Sequence, residues 1–397
     1  MHVSTGFLIS STTLSIDYVV LLFLRHYEAI YGSKRNEIHI FIMNKQLIMH
    51  IKGIQDLRKE LGVRANIKRE GEVSKIWARW IITHRSLFKQ DYMYLPSDTE
   101  YDYQLLTELQ TKGCDNPKAI YNFLIESCLV LNAKCGSLKA EMESGGIHGS
   151  LPVTLHEEGK YIILSCDGIS DKLPISVYKK MGRMYKNAGL APENIKNKYI
   201  WLIITFYSLL DCKGLQWAVP SAVMAILKQD MGCDVELFAS PINSLHMNYY
   251  SLFPQDKYFG SRGNFFHAPD SHFTEGTFQV NPPFIVSLFV KTTERILDLL
   301  EKADSAGKNL TFIYIMPEWE DFSAYDMVAE TRFCVRQIKL EAHQHYYYQY
   351  STGGYIKARF GTLVIFLSTD MKCCGNELER AIKIAFCQPF NYSSLFR

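Results

Sequence analysis

The residues best suited to chemistry are Asn281, Pro282, Pro283 and Phe284, which follow a short β-like run at 277–280 and open a long amphipathic pattern. Asn-Pro-Pro-aromatic at a strand end fits methylation of an exocyclic amine on a nucleobase. Such an amine is a poor nucleophile, because its lone pair is conjugated into the ring. The side-chain oxygen of Asn281 and the carbonyl of Pro282 can each accept one of its N–H groups. Held that way, the nitrogen turns its lone pair toward the methyl of S-adenosylmethionine for in-line displacement. The prolines fix φ and remove N–H donors, so the corner is rigid and rich in acceptors. Phe284 would stack on the base, a contact typically worth ~1–3 kcal/mol. Neither a metal nor a nucleophilic side chain is required. The competing reading is a plain strand-to-helix turn with proline at the first helical position, so the surroundings decide.

Those surroundings form an α/β pattern from about residue 215. Strands are expected at 234–239, 277–280, 312–316, 335–340 and 363–367, with helices at 221–231, closing at Gly232, and from Phe284 to about Ala303. Alternation of this kind implies a mostly parallel sheet. Ligands of such sheets sit beyond the strand C-termini at a topological switch point, where Asn281 lies. Two loops compete for the cofactor. Phe238, Ala239, Ser240, Pro241 and Asn243 follow the first strand; their small residues let backbone amides approach a carboxylate, and a helix beginning near Asn243 would add its positive end. The second loop offers Gly260 for a tight turn and Arg262 for a carboxylate or phosphate. Asp256 is the candidate for the ribose hydroxyls. The G-x-G of many methyltransferases is absent.

Upstream, residues 16–135 read mainly as helix. Composition suits a globular chain of about two domains: 397 residues, 47% hydrophobic, and a net charge of only +2 that confines any nucleic-acid surface to a local patch. One such patch is the segment 52–89, with ten Lys/Arg, among them Lys68, Arg69, Arg79, Arg85 and Lys89, against four acids. Trp77, Trp80 and His84 are interleaved, as in a surface that tracks a nucleic-acid backbone. The alternative is a solvated helix face with inward tryptophans. The apolar run 19–24 is short of the ~20 residues of a membrane span and lacks a basic lead, so a buried helix is expected rather than a span or secretion signal. Ten cysteines at irregular spacing point to a reducing compartment with buried thiols rather than structural zinc. A glycine-rich loop is expected at 136–150, with Gly136, Gly145, Gly146 and Gly149. A hairpin follows at 153–166, then a helix from Pro174 to Gly189 and a buried helix at 199–210. The tract His343–Tyr350, with Lys357 and Arg359 beyond it, suits an RNA-facing loop. Its two histidines lack a third ligand for a metal.

Taken together, the runs 238–243, Phe253-Pro254, 258–263, 281–284 and Pro317-Glu318-Trp319, with 215–220 ahead of them, resemble the phosphorylated CTD-interacting factor family of cap-specific adenosine methyltransferases. The resemblance covers about 215–370. It implies a Rossmann-like methyltransferase domain, here 199–397, after a mainly helical domain, 1–198, that carries the basic stripe. It further implies S-adenosylmethionine as donor, no metal, and the cap-adjacent adenosine of mRNA as acceptor, with a nuclear location. On the residues of this chain it makes Asn281, Pro282, Pro283 and Phe284 catalytic and the two loops cofactor-binding. It also makes Glu318 and Trp319 part of the acceptor pocket. Animal members carry a WW domain with two tryptophans spread along a small β module. Trp77 and Trp80 are too close for that, so the tail of RNA polymerase II is left without a visible reader. A DNA adenine methyltransferase and an inactive RNA-binding scaffold are the alternatives.

Overall fold

A computed structural model describes residues 16–87, 95–96, 102–143, 151–210, 215–319 and 323–389; for 16–39 it describes the backbone alone. The side chains of the apolar run 19–24, and Lys89, Gly145, Gly146, Gly149 and Cys212, lie outside the described residues.

Among the described residues, four helices come first: α1 (Ile16–Arg64), α2 (Glu70–Leu87), α3 (Tyr103–Thr111) and α4 (Pro117–Glu143). Their apolar stripes, with Leu47, Ile54 and Leu61 from α1 and Leu124, Cys128 and Leu131 from α4, bury one another in a first core. Helix α4 continues through Gly136, where a loop was expected. Cys135 is buried and its carbonyl accepts from Gln46 Nε2 at 2.9 Å, so packing on α1 overrides the poor helix propensity of glycine. The tryptophans of the basic stripe are also corrected. Trp77 and Trp80 are buried, edge-to-face at 5.4 Å, so α2 turns its indoles to the core, while of its cations Lys75 is exposed and Arg85 buried.

Next comes a meander of β1 (Thr154–Glu158), β2 (Tyr161–Cys166) and β3 (Ile169–Pro174), one strand more than the expected hairpin. Helix α5 (Ile175–Ala188) stops at Gly189, whose φ of 63° is the left-handed cap the sequence announces. Helix α6 (Lys196–Leu209) is apolar around most of its girth and joins the first core. The division expected at residue 198 therefore falls inside α6.

The remaining elements are β4 (Trp217–Ala218), α7 (Ser221–Met231), β5 (Val235–Ala239), β6 (Asn248–Ser251), β7 (Gly276–Val280), α8 (Val286–Ser305), β8 (Leu310–Pro317), α9 (Ser323–Ala329), β9 (Cys334–Leu340), β10 (Tyr346–Gln349), β11 (Gly354–Lys357), β12 (Thr362–Ser368) and α10 (Asn376–Cys387). Six of these strands build a sheet in the order β6-β5-β7-β8-β12-β9. Strands β6, β5, β7 and β8 are mutually parallel, and β12 runs antiparallel to both of its neighbours. Every residue of β8 and β12 is buried, because α8 and α9 cover one face and α7 and α10 the other. The chain leaves β5 to one side for β6 and returns on the other for β7, which makes the β5–β7 boundary the switch point.

Two expectations about loops change. No helix begins near Asn243; residues 241–243 form a turn that leads to β6. The His343–Tyr350 tract is not a loop either, since it holds β10, which pairs with β11 and β4. Strand pleating turns alternate residues inward, so Tyr347 is buried, as is His345, whose Nε2 lies 2.8 Å from Thr362 Oγ1.

Gly232 closes α7 at φ 65° with its N–H on the carbonyl of Lys228. Gly232→Ala should therefore cost about 1 kcal/mol, read as a lowered urea midpoint with unchanged slope.

Candidate active site

Strand β7 delivers Asn281 to the carboxyl edge of the sheet, and the two prolines stop the ladder there. The chain then turns into α8, with Ile285 N–H on the carbonyl of Pro283 at 2.7 Å. Asn281 Nδ2 donates to the carbonyl of Trp217 at 3.1 Å. Its Oδ1 is buried and, among the described residues, has no hydrogen-bond partner. The side chain is thus fixed by its amide nitrogen while its acceptor is left open, an arrangement that is costly unless a donor arrives.

Asn281 and Pro283 line a cavity with an interior of about 50 Å³ that opens to solvent at its mouth. Its other walls come from the C-terminal ends of β5 and β6 (Leu237, Phe238, Ala239, Asn243, Ser251, Leu252, Phe253) and from Asn264, Phe265 and Phe266. Gln216 and Trp217 form another wall, and Ile82 and Ser86 of α2 with Tyr207 and Leu210 complete it. The cavity therefore sits at the switch point, roofed by the first core. An adjoining cavity shares Tyr207, Gln216 and Trp217 and extends to Lys172 and Tyr350.

The loop after β5 is tightly knit. Ser240 N–H and Oγ both donate to Asn243 Oδ1, at 2.7 and 2.9 Å, and Asn243 Nδ2 reaches the carbonyl of Gln216 at 3.4 Å. Phe238 packs edge-on against Phe265 and Phe266. The second candidate loop contributes differently from expectation. Residues 261–263 run along the outer edge of β6, where Arg262 donates to Asn248 Oδ1 at 2.9 Å. Neither Gly260 nor Arg262 lines the cavity; the residues that do are Asn264, Phe265 and Phe266 just beyond. Asn264 also ties the wall to α2, donating to the carbonyls of Arg85 and Ser86 at 3.3 and 3.1 Å.

Asp256 lies behind the lining. It is fully buried and accepts the hydroxyl proton of Tyr207 at 2.8 Å. Burial pushes its carboxyl up to about 7, against the pull of the Tyr207 and Ser251 hydroxyls.

Around Phe284 lies an aromatic cluster. Phe360 is 5.5 Å away, Phe289 5.7 Å, and Trp319 and Tyr347 both 6.1 Å. Trp319 is 36% exposed, and Glu318 pairs with Lys339 at 2.5 Å. The expected RNA-contacting cations are scattered. Arg79 pairs with Glu108, and Lys357 sits over the Tyr346 ring at 5.5 Å. At about 1.5 Å per residue, α2 places Lys68 and Arg69 roughly 25 Å from Ser86 at the cavity. Arg85, next to the cavity-lining Ser86, is buried 5.8 Å from the Phe253 ring, with its guanidinium pulled down to about 9 by burial. Gln216, Trp217, Tyr207 and Asn264 carry no chemistry visible in a linear motif. Gln216 and Trp217 alone had a signal, as part of the 215–220 run.

The doubly wound sheet, its one antiparallel strand and the Asn-Pro-Pro-Phe corner at the switch point define a Rossmann-like methyltransferase fold behind a helical region. Comparison with known proteins agrees. A family model described as "Phosphorylated CTD interacting factor 1 WW domain" matches residues 180–350. The chain is similar to the mRNA (2'-O-methyladenosine-N(6)-)-methyltransferase of Mus musculus, 29% identical over 237 residues, which is 54% of this chain and 32% of that protein. The protein of the same name from Homo sapiens is 29% identical over 239 residues, 55% of this chain and 32% of its own length. The chain thus spans about a third of the length of these relatives. Over the matched residues the chain is similar to the phosphorylated CTD interacting factor 1 family. The match also corrects the expectation that no WW-related segment exists. That expectation weighed Trp77 and Trp80, whereas the matched span holds Trp201, Trp217 and Trp319.

The buried Asp256 supplies a test. Unfolded, its carboxyl titrates near ~3.9, so between about pH 4 and about pH 7 the native state keeps a proton the unfolded chain has lost. Its contribution to stability therefore falls as pH rises through that window. Asp256→Asn keeps an acceptor for Tyr207 without the charge. The drop in Tm between about pH 5 and about pH 8 should shrink by roughly 2 °C or more in thermal melts.

Proposed function

We propose that this protein transfers a methyl from S-adenosylmethionine to the 6-amino group of adenosine, and that the acceptor is the cap-adjacent (2′-O-methyl)adenosine of mRNA. The observation that carries the reading is the Asn281 side chain, tied through Nδ2 with a buried, unpaired Oδ1 at the wall of the switch-point cavity.

The residues present suit the cofactor. Leu237, Phe238, Phe253, Phe265 and Phe266 offer flat and apolar walls for an adenine, Gln216 offers an amide for hydroxyl or amino-acid groups, and Asn243 and Asn264, held by their own hydrogen bonds, shape the wall. Asp256, behind that wall, acts through Tyr207. When bound, S-adenosylmethionine supplies an electrophilic methyl. Everything else falls to the chain. Asn281 Oδ1 and the carbonyl of Pro282 accept the two N–H groups of the adenine amine and stabilise the positive charge that grows on nitrogen. Pro283 keeps the corner stiff, and Phe284 with Trp319 flanks the base. The surplus proton leaves to solvent after transfer. The adjoining cavity gives the rest of the acceptor room. A terminal nucleotide is already unpaired, which avoids the cost of about a few kcal/mol for flipping a base from a duplex.

Glu318, Lys357, Arg79, Lys68 and Arg69 would then touch the acceptor only away from the reacting base, through its backbone. The names of the relatives support a 2′-O-methyladenosine of mRNA as the acceptor, and the family's name supports a link to a phosphorylated CTD.

The test is transfer of labelled methyl to three acceptors: capped RNA beginning with A, the same RNA uncapped, and duplex DNA. Label on capped RNA alone is the expected result; label on DNA, or none on any acceptor, overturns the proposal. Asn281→Ala should lower kcat by about 10²-fold or more while cofactor affinity holds, as loss of a transition-state contact does. Phe284→Ala should raise the acceptor KM about 10-fold, and an unchanged KM would remove the stacking role.

A further inference from the structure

Parallel neighbours such as β5 and β6 usually need a crossover of about a dozen residues or more, most often a helix. Here residues 240–247 cross with a turn and no helix. A helix satisfies most of its own N–H and C=O groups, whereas this short segment must find partners elsewhere. Two charged side chains provide them. Lys180, on α5, donates from Nζ to the carbonyls of Ile242 and Ser244, each at 2.8 Å. Glu236, buried within β5, accepts the N–H groups of Leu245 and His246 on Oε1, each at 2.7 Å. Lys180 takes two carbonyls of the segment and Glu236 two of its amides, while the amides of Asn243 and Ser244 donate to the carbonyl of Ser240 within the segment. The ring of Tyr350 backs the ammonium, with Nζ 4.6 Å from its centroid. Burial pulls the Lys180 ammonium down to about 7 and pushes the Glu236 carboxyl up to about 7, and each opposes that loss of charge in the other.

We propose that Lys180 and Glu236 form a clasp that replaces the missing crossover helix and fixes the shape of the β5–β6 connection, which makes them positioning residues for cofactor binding. The role in binding rests on reading the switch-point cavity as the cofactor site, because Asn243 of this connection and Ala239 just before it line that cavity. Neither residue touches the cavity itself. Their charges cancel, so loss of one leaves the other uncompensated in the interior. The pair therefore acts as a unit.

Lys180→Met keeps the aliphatic stem and removes the ammonium. In the unliganded full chain, hydrogen exchange at the amides of Ser244, Leu245 and His246 should quicken at least about 10-fold, while Ile162 and Leu164 of β2 keep their rates. Affinity for S-adenosylhomocysteine, measured by calorimetry, should fall about 10-fold with the acceptor KM unchanged. Lys180→Arg, which keeps charge and donors, should restore most of both. Lys180→Met combined with Glu236→Gln should lose less than the sum of the single changes, the mark of a coupled pair. Unchanged exchange at residues 244–246, strictly additive losses, or an equal rise in acceptor KM would each overturn the clasp. If Lys180→Met does not fold, Glu236→Gln and Lys180→Arg are judged by the same amides. Quickened exchange in a protein that binds no S-adenosylhomocysteine would uphold the clasp and defeat the cofactor reading instead.

Discussion

One hydrogen bond organises the site: the amide nitrogen of Asn281 on the carbonyl of Trp217. An asparagine at the end of a strand could turn either face outward. Spending its donor on a backbone carbonyl from β4 leaves only the acceptor for a ligand. The position of Trp217 is therefore as important as that of the motif. Strand β4 is two residues long and is held by pairing with β10, whose Tyr347 also packs against Phe284. The small β11-β10-β4 sheet thus braces both the asparagine and the aromatic residue of the corner.

The second constraint is the join between the helical region and the sheet. It is built from rings: Phe206 and Tyr207 on Phe253, Tyr199 on Tyr258, and Tyr185 on Phe259. Offset and edge-on aromatic contacts combine a large buried area with defined geometry. Much of the aromatic richness of the composition is spent here and in the cluster around Phe284 rather than on an exposed nucleic-acid platform. The first core runs through this join into Ile285 and Leu288 at the start of α8, so the helical region packs directly beneath the corner.

Much of the sheet was legible because its strands carry strong local signals. The apolar runs of β8 and β12 can only be buried on both faces, and Gly189 and Gly232 mark helix ends by their backbone freedom. The corner at 281–284 was legible because proline and asparagine have few other reasons to stand together at a strand end. What escaped was set by distant partners. Strands β4, β6, β10 and β11 are two to four residues long and exist only because a neighbour pairs with them. The missing helix after β5 depends on Lys180, which lies far away in sequence. The basic stripe misled for a related reason: charge is visible in a sequence, but which face of α2 the indoles take is decided by the core they pack into.

The bonds from Asn264 to the last carbonyls of α2 have an architectural consequence. The cavity is a room with walls from two buildings, and the bolt between them is inserted from the sheet side. Severing the chain in the stretch between α4 and β1 would yield fragments of which neither encloses the chamber. Evolution could exchange the outer surface of the helical region freely, but not the end of α2, without opening the chamber to water.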